Sequence, residues 1–344
     1  MKKILIVKLR SMGDVLLSSP VFQAVRSSFP KAWIAILTTS PVYEILKISG
    51  WVDHVFVYDW EKIKNQGFIS RLLNDYQIIQ DLKKFNFDLM IDLYGSRRSS
   101  HFLKKIGTGF RIGIELDHQK GAYDLEVPVQ YRNKGSVLDM DRKVLELIGI
   151  EVNQSVTWKV PVQALSYADT FWKWAKFENE SKVIAINPFA SCMTKEWEIE
   201  HWVEVMNQLT KRNIPFFLTG APFEKKKIQR LKNSIHYKVQ SYTQTSLIGL
   251  MGLFKKAQLV ISVDSGPRHL AAGIGTPTLT LFGPEEVNRW HPYAQDKHPV
   301  LIKELSCRPC GLSVCIVLKH KCMRSIYPEM VIQKVDAMLN SFST

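Results

Sequence analysis

Short, unbroken apolar runs alternate along most of the chain with longer stretches of helical periodicity. Runs without polar alternation read as strands buried on both faces, which is the signature of a parallel sheet. Such strands are expected at 3–9, 33–38, 54–58, 87–93 and 110–113, and again at 183–187, 216–219, 259–263 and 277–282. Helices are expected between them at 15–25, 41–49, 68–85, 140–148, 201–212, 245–255 and 267–274. Pro20 interrupts the first helix and predicts a kink or a second start after Ser19. The rhythm lapses over 160–176, which reads as a connection between two α/β halves. The expected organisation is therefore a first domain at 1–165, a linker at 166–180 and a second domain at 181–326. A terminal helix at 327–344 places Met330, Val331, Val335, Met338, Leu339 and Phe342 on one face. The two α/β halves are the only internal echo.

The chemistry gathers at the carboxyl ends of the expected strands, where open α/β sheets hold ligands. The stretch QLVISVDSGPRHLAAGIGTPTLTLFGP at 258–284 combines a strand, the turn Asp264-Ser265-Gly266 and a small-residue helix opened by Pro267. Backbone N–H groups at such a helix start suit a phosphate, with Pro267 lacking only a donor that would be unsatisfied anyway. The first strand runs into Arg10-Ser11-Met12-Gly13-Asp14, which sets Asp14 at a helix N-terminus. A lone glycine there is not the G-x-G-x-x-G dinucleotide fingerprint. The loop PFASCMTKEW at 188–197 offers Ser191, Thr194 and the cation Lys195. Arg97 and Arg98 lie in what reads as a basic loop at 96–100, while Arg111 lies in a short strand and Arg142 on a helix. Three of them lie after or beside strands, which points to an anion-binding cleft.

Composition narrows the classes. A chain of 344 residues with 46% hydrophobic and 23% charged residues can build two globular cores. The net charge of +14 favours acidic partners such as phosphorylated glycans, anionic membrane surfaces or nucleic acid. Nucleic acid fits less well, because the basic residues are scattered and not gathered with aromatics. The start MKKILIVKLRSMGD lacks the apolar length of a signal peptide, and no window is long enough to span a bilayer. Four cysteines cluster as Cys307, Cys310, Cys315 and Cys322. The first pair has metal-ligand spacing and the second is irregular, so reduced thiols are expected and a bound ion is the alternative.

Taken together, KLRSMGD at 8–14, Lys195-Glu196-Trp197, the 220–224 turn and VDSGPRHLAAGIGTPTLTLFGP at 263–284 resemble the ADP-heptose:lipopolysaccharide heptosyltransferases of Gram-negative bacteria. The cysteine-rich 307–323 segment looks like that of the second-heptose type. The resemblance covers nearly the whole chain. It implies a GT-B fold, with two Rossmann-like domains facing across a cleft, acceptor on the N-terminal side and nucleotide sugar on the C-terminal side. It also implies that the last helix packs back on the N-terminal domain. Asp14 then matches the general base and Lys195 the donor-phosphate ligand. Ser191, Thr194, Thr219, Gly220, Glu224, Asp264, Ser265, Gly266 and His269 would line the donor site, with Glu224 at the ribose. Ser11, Met12, Gly13, Arg97, Arg98, Arg111 and Arg142 would hold the acceptor. Arg268 departs from the family pattern, and its role is open between a phosphate contact and a solvent-facing cation.

The activity so implied is inverting transfer of heptose from ADP-heptose to the lipopolysaccharide inner core, at the second heptose. No cofactor is required, because Lys195 and the turn amides can neutralise the departing diphosphate. The location would be cytoplasmic, with peripheral contact at the inner membrane. Competing readings are another nucleotide sugar or a protein acceptor on the same fold, and a nicotinamide-dependent oxidoreductase, which the absent glycine fingerprint disfavours.

Overall fold

The computed structural model describes residues 2–107, 109–115, 121–131, 134–153, 157–244, 246–317 and 319–342. The chain divides into two units, Met1–Val156 and Thr157–Thr344. In the first, β1 (Lys3–Val7), β2 (Trp33–Thr38), β3 (His54–Val57), β4 (Leu89–Asp92), β5 (Phe110–Ile114) and β6 (Leu125–Val127) form one sheet in the order β3-β2-β1-β4-β5-β6. All its pairings are parallel. In the second, β7 (Ile184–Asn187), β8 (Phe216–Thr219), β9 (Gln240–Tyr242), β10 (Leu259–Val263), β11 (Thr278–Phe282) and β12 (Val300–Ile302) pair in the order β12-β11-β10-β7-β8-β9. These pairings too are parallel. Each unit winds outward from its first strand in both directions, which is the doubly wound Rossmann arrangement. The direction of winding reverses between β1 and β4, and between β7 and β10. Ligand crevices form outside the carboxyl ends of strands at those positions.

The central strands are apolar because helices cover both faces. Ile4–Val7, Ile34–Leu37 and Leu259–Val263 are wholly buried, including Ser262, the polar residue among them. The three strands missing from the sequence reading are β6, β9 and β12. Each has three residues and lies at a sheet edge, too short to leave a periodic signal. Pro20 acts as expected: one helix ends at Leu17 and a second runs Ser19–Ser28 with proline in its first turn. The helix expected from 245 runs Leu247–Lys256 with Ser246 as its cap, and Thr245 lies outside the described residues.

Three expectations need correction. The basic loop at 96–100 is the start of a helix, Arg97–Ile106. Ser96 accepts a hydrogen bond from the Ser99 N–H at 3.1 Å, and the Ser96 N–H donates back to Ser99 Oγ at 3.0 Å. This capping box turns a serine-rich run into a helix start, and Phe102, Leu103 and Ile106 then bury the helix. The expected linker is likewise a helix, Val162–Ala175, which buries Ala164, Ala168, Phe171, Trp172 and Ala175 within the second unit. It packs along the Leu247–Lys256 helix, and a Cβ on Gly252 would come 1.9 Å from the Ala164 carbonyl oxygen. The unit boundary falls before this helix, at Val156 and not at 165. Finally, the last helix (Pro328–Ser341) was expected on the first domain. Its Val331, Ile332, Val335, Met338 and Leu339 are instead part of the second unit's core, beside Trp202, Val205 and Leu209 of the Ile199–Lys211 helix.

Candidate functional site

In the first unit, β1 leads directly into the Met12–Leu17 helix. Ser11 is its N-cap residue but caps no backbone N–H; its hydroxyl donates to Asp14 Oδ2 at 2.5 Å. Asp14 is therefore not the cap. It sits in the first turn, buried, with Arg10 3.7 Å from Oδ1. Oδ1 is itself inaccessible and accepts no hydrogen bond. Such an oxygen ordinarily finds a partner. Behind it lies a buried pair that sequence reasoning missed. Lys8 Nζ donates to Asp141 at 2.8 and 2.7 Å and to the Leu93 carbonyl at 3.1 Å. Ser18, which starts the next helix, also donates to Asp141. Burial pushes the Asp141 carboxyl up; Lys8 opposes that and the neighbouring Asp14 charge adds to it. The pair thus ties β1, β4, the Ser18 turn and the Val137–Glu146 helix together around Asp14. Lys8 lies in the KLRSMGD stretch, and its position at the carboxyl end of β1 was the available signal.

The four arginines are not equivalent. Arg97 is exposed at the first residue of its helix. Arg98 stacks on Trp60, 3.4 Å from the ring centroid, and donates to the Tyr58 hydroxyl at 3.1 Å. Arg111 pairs with Asp124 at 3.3 Å and Arg142 with Asp139 at 3.5 Å. Met12 is partly buried, Gly13 buried and Ser11 exposed at the helix start.

The second unit gathers most of the expected donor residues at the carboxyl ends of β7 and β10, on either side of its reversal point. Trp197 holds the loop after β7: its indole N–H donates to the Ile326 carbonyl at 2.9 Å, and its ring meets Trp202 edge-on. Lys195 is thereby presented to Asp264 Oδ2 at 2.9 Å and Glu285 Oε1 at 3.1 Å. Burial lowers the affinity of Lys195 for its proton, but the two carboxylates outweigh it and hold the pKa above the usual lysine range. Asp264 spends its other oxygen on Arg268, which donates from Nε at 3.0 Å and from Nη2 at 2.7 Å. Burial would raise the Asp264 carboxyl; the two cations hold it low.

Arg268 is thus neither solvent-facing nor open to a phosphate. It is 1% exposed, donates to the Trp290 carbonyl and lies over the Phe282 ring. His269 is buried against the Tyr293 hydroxyl at 2.8 Å; burial and nearby Arg268 keep it neutral, well below the usual histidine range. Ser265 caps no N–H and donates instead to Asn187 Oδ1 at 3.0 Å, which leaves the first-turn amides of the Gly266–Gly273 helix uncapped by that side chain.

Other expected donor residues have internal roles. The Thr194 hydroxyl donates to the Leu312 carbonyl at 2.8 Å, and Thr219 is fully buried with its side chain bonded to Asn187. Glu224 accepts the Ala221 N–H at 2.7 Å, and burial pushes its carboxyl up. Gly220 donates its N–H to the Tyr242 carbonyl, while Ser191 is exposed. Sequence reasoning missed Glu285 and Asn187, although both stand at strand carboxyl ends.

The cysteine-rich segment braces the Gly283–Glu285 turn that follows β11 and carries Glu285. Arg308 donates to the carbonyls of Gly283 and Glu285, and the N–H groups of Cys310 and Gly311 donate to the Pro284 carbonyl. Cys307, Cys310, Cys315 and Cys322 line one small cavity with His320, and all are free thiols. Among the described residues no three side chains are arranged as ligands of a metal ion.

The chain as a whole is similar to known proteins. A model of glycosyltransferase family 9 (heptosyltransferase) matches residues 76–321. Lipopolysaccharide heptosyltransferase 3 of Escherichia coli is 25% identical over 304 residues, covering 84% of this chain and 85% of that protein. Lipopolysaccharide heptosyltransferase 1 of E. coli K12 is 25% identical over 83% of this chain and 88% of its own. In structure, E. coli ADP-heptose heptosyltransferase II superposes over 100% of both chains with a TM-score of 0.79 at 18% identity. A family 9 glycosyltransferase from Veillonella parvula gives 0.82 over 99% of this chain and 97% of its own, at 19% identity. A match over most of its length, on a doubly wound pair of GT-B type, places the chain in glycosyltransferase family 9, the heptosyltransferases.

Proposed function

We propose that the protein transfers heptose from ADP-heptose to the lipopolysaccharide inner core by a single inverting displacement, at the second heptose. The observation that carries the reading is the Asp14 carboxylate, with one buried oxygen left without a hydrogen bond at the carboxyl end of β1. We assign a sugar hydroxyl of the acceptor as its proton donor; because the oxygen is covered in the structure, the first turn must open to expose it when the acceptor binds. As that oxygen attacks the anomeric carbon, Asp14 accepts the proton and the bond to the ADP phosphate breaks. Ser11 orients the other carboxylate oxygen, and the Lys8–Asp141 pair fixes the turn behind it.

In the second unit, charge develops on the departing diphosphate. We assign Lys195 and the amides at the start of the Gly266–Gly273 helix to receive it. Asp264 and Glu285 keep Lys195 protonated and aimed, so Asp264 serves as an anchor for the cation and not as a ligand of the phosphate. Arg97 and Arg98 suit the anionic groups of the acceptor. The assignment to the second heptose rests on the 307–323 segment; relatives at about 25% identity include enzymes of types 1 and 3.

The test separates chemistry from binding. Asp14→Asn preserves shape and removes the base, so turnover should fall by roughly 10²–10⁴-fold while ADP affinity is unchanged. Turnover within a few-fold of the parent would remove Asp14 from that role.

A further inference from the structure

The Phe68–Lys83 helix is half docked. Its C-terminal half buries Ile79 and Leu82 in the first unit's core. Its N-terminal half presents Phe68, Ile69, Leu72, Leu73 and Tyr76, each between 51% and 73% exposed. At about 100° per residue these five fall on one arc of roughly 140°. Neither Asp75 nor Asp81 lies on that arc, whereas Lys83 does. Residues 60–85 carry Lys62, Lys64, Arg71, Lys83 and Lys84 against Glu61, Asp75 and Asp81. Lys62, Lys64, Lys83 and Lys84 are exposed; Lys62 also pairs with Asp59 and Lys84 with Asp81. The helix packs beside Arg97–Ile106, whose exposed His101, Lys104 and Lys105 continue the basic surface. Single exposed apolar residues are ordinary; a contiguous stripe of this kind marks an interaction site.

We infer that this face seats the protein on an anionic bilayer, with the aromatic and aliphatic side chains in the headgroup–acyl boundary and the lysines against lipid phosphates. An apolar arc flanked by cations is the pattern of a helix lying in a membrane interface. A second copy fits poorly, since a two-fold contact would bring the same cations together. The motive rests on the proposed function, because a lipid-anchored acceptor is reached at a membrane surface. The geometry does not depend on it. Among the described residues no helix is long and apolar enough to cross a membrane, so the contact would be peripheral.

Sedimentation of the full chain with phosphatidylglycerol/phosphatidylethanolamine vesicles and with phosphatidylcholine vesicles tests the inference. The parent should bind the anionic vesicles, less tightly as salt rises, and bind phosphatidylcholine at least tenfold more weakly. Substituting Ile69, Leu72 and Leu73 together by Ser should weaken binding at least tenfold with ADP affinity unchanged. The single change Ile69→Glu should act in the same direction and serves if the triple variant misfolds. Equal vesicle binding by parent and variants would overturn the inference. So would a parent dimer that the triple change converts to monomer, which would give the face to a second copy. Because ADP affinity and turnover on a delipidated acceptor are separate readouts, failure of the proposed enzyme activity would be distinguishable.

Discussion

Two charged side chains near strand ends show how far a residue can be read without coordinates. Lys195 was visible in the sequence as the cation of the 188–197 loop, and its role as a donor-phosphate ligand was implied by the resemblance alone. The structure shows how it is held: Trp197 pins the loop, and Asp264 and Glu285 take the ammonium. Arg268 was not legible, since nothing in a linear pattern says that a helix-borne arginine folds back onto the carboxylate four residues earlier. Its burial matters, because it leaves Asp264 doubly compensated and Lys195 as the more exposed cation of the cluster. Lys195→Ala should therefore weaken ADP binding by about 1.5–3 kcal/mol, the size of a charged hydrogen bond. Calorimetric titration of ADP checks this, and an unchanged affinity would rule out the phosphate contact.

At the scale of elements, the long buried strands were readable and the short edge strands were not. Strand β2 was read at its observed bounds because six consecutive apolar or small residues leave no competing pattern. The Val162–Ala175 helix was lost because its buried face is built largely from alanines, which carry little hydrophobic contrast. Small residues are there for close approach. Gly252 faces the Ala164 carbonyl so tightly that a methyl group has no room. Gly252→Ala should force the two helices apart and cost roughly 1–3 kcal/mol of stability, as overpacking does. Denaturant unfolding of the variant measures it, and a loss below about 0.5 kcal/mol would mean that the contact relaxes freely.

On the scale of the whole molecule, two units with the same winding order each place several of the candidate residues at the carboxyl ends of the strands where the winding reverses, Asp14 after β1 and Lys195 and Asp264 after β7 and β10. The same burial that builds these crevices also sets a pH limit. In the second unit burial lowers His291 and His298 to about 4, with Arg268 adding to the effect on His291 and Lys297 to that on His298. Unfolded, each would titrate near 6.5. Below that value the unfolded chain binds more protons than the folded one, so stability falls as pH drops from about 6.5 to about 4 and is retained above it. Thermal midpoints recorded across that window should decline on acidification. His298→Asn should flatten the decline, and parallel curves for parent and variant would contradict the assignment to His298.

The measurement that bears most directly on the account is ADP release from ADP-heptose in the presence of heptose-free or one-heptose lipopolysaccharide acceptors. The account predicts release with the one-heptose acceptor and little with the other. Preference for the heptose-free acceptor would keep the family and move the step. No release with either acceptor would contradict the proposed reaction, and a chain that also failed to bind ADP would contradict the reading of Lys195 and the helix start beside it.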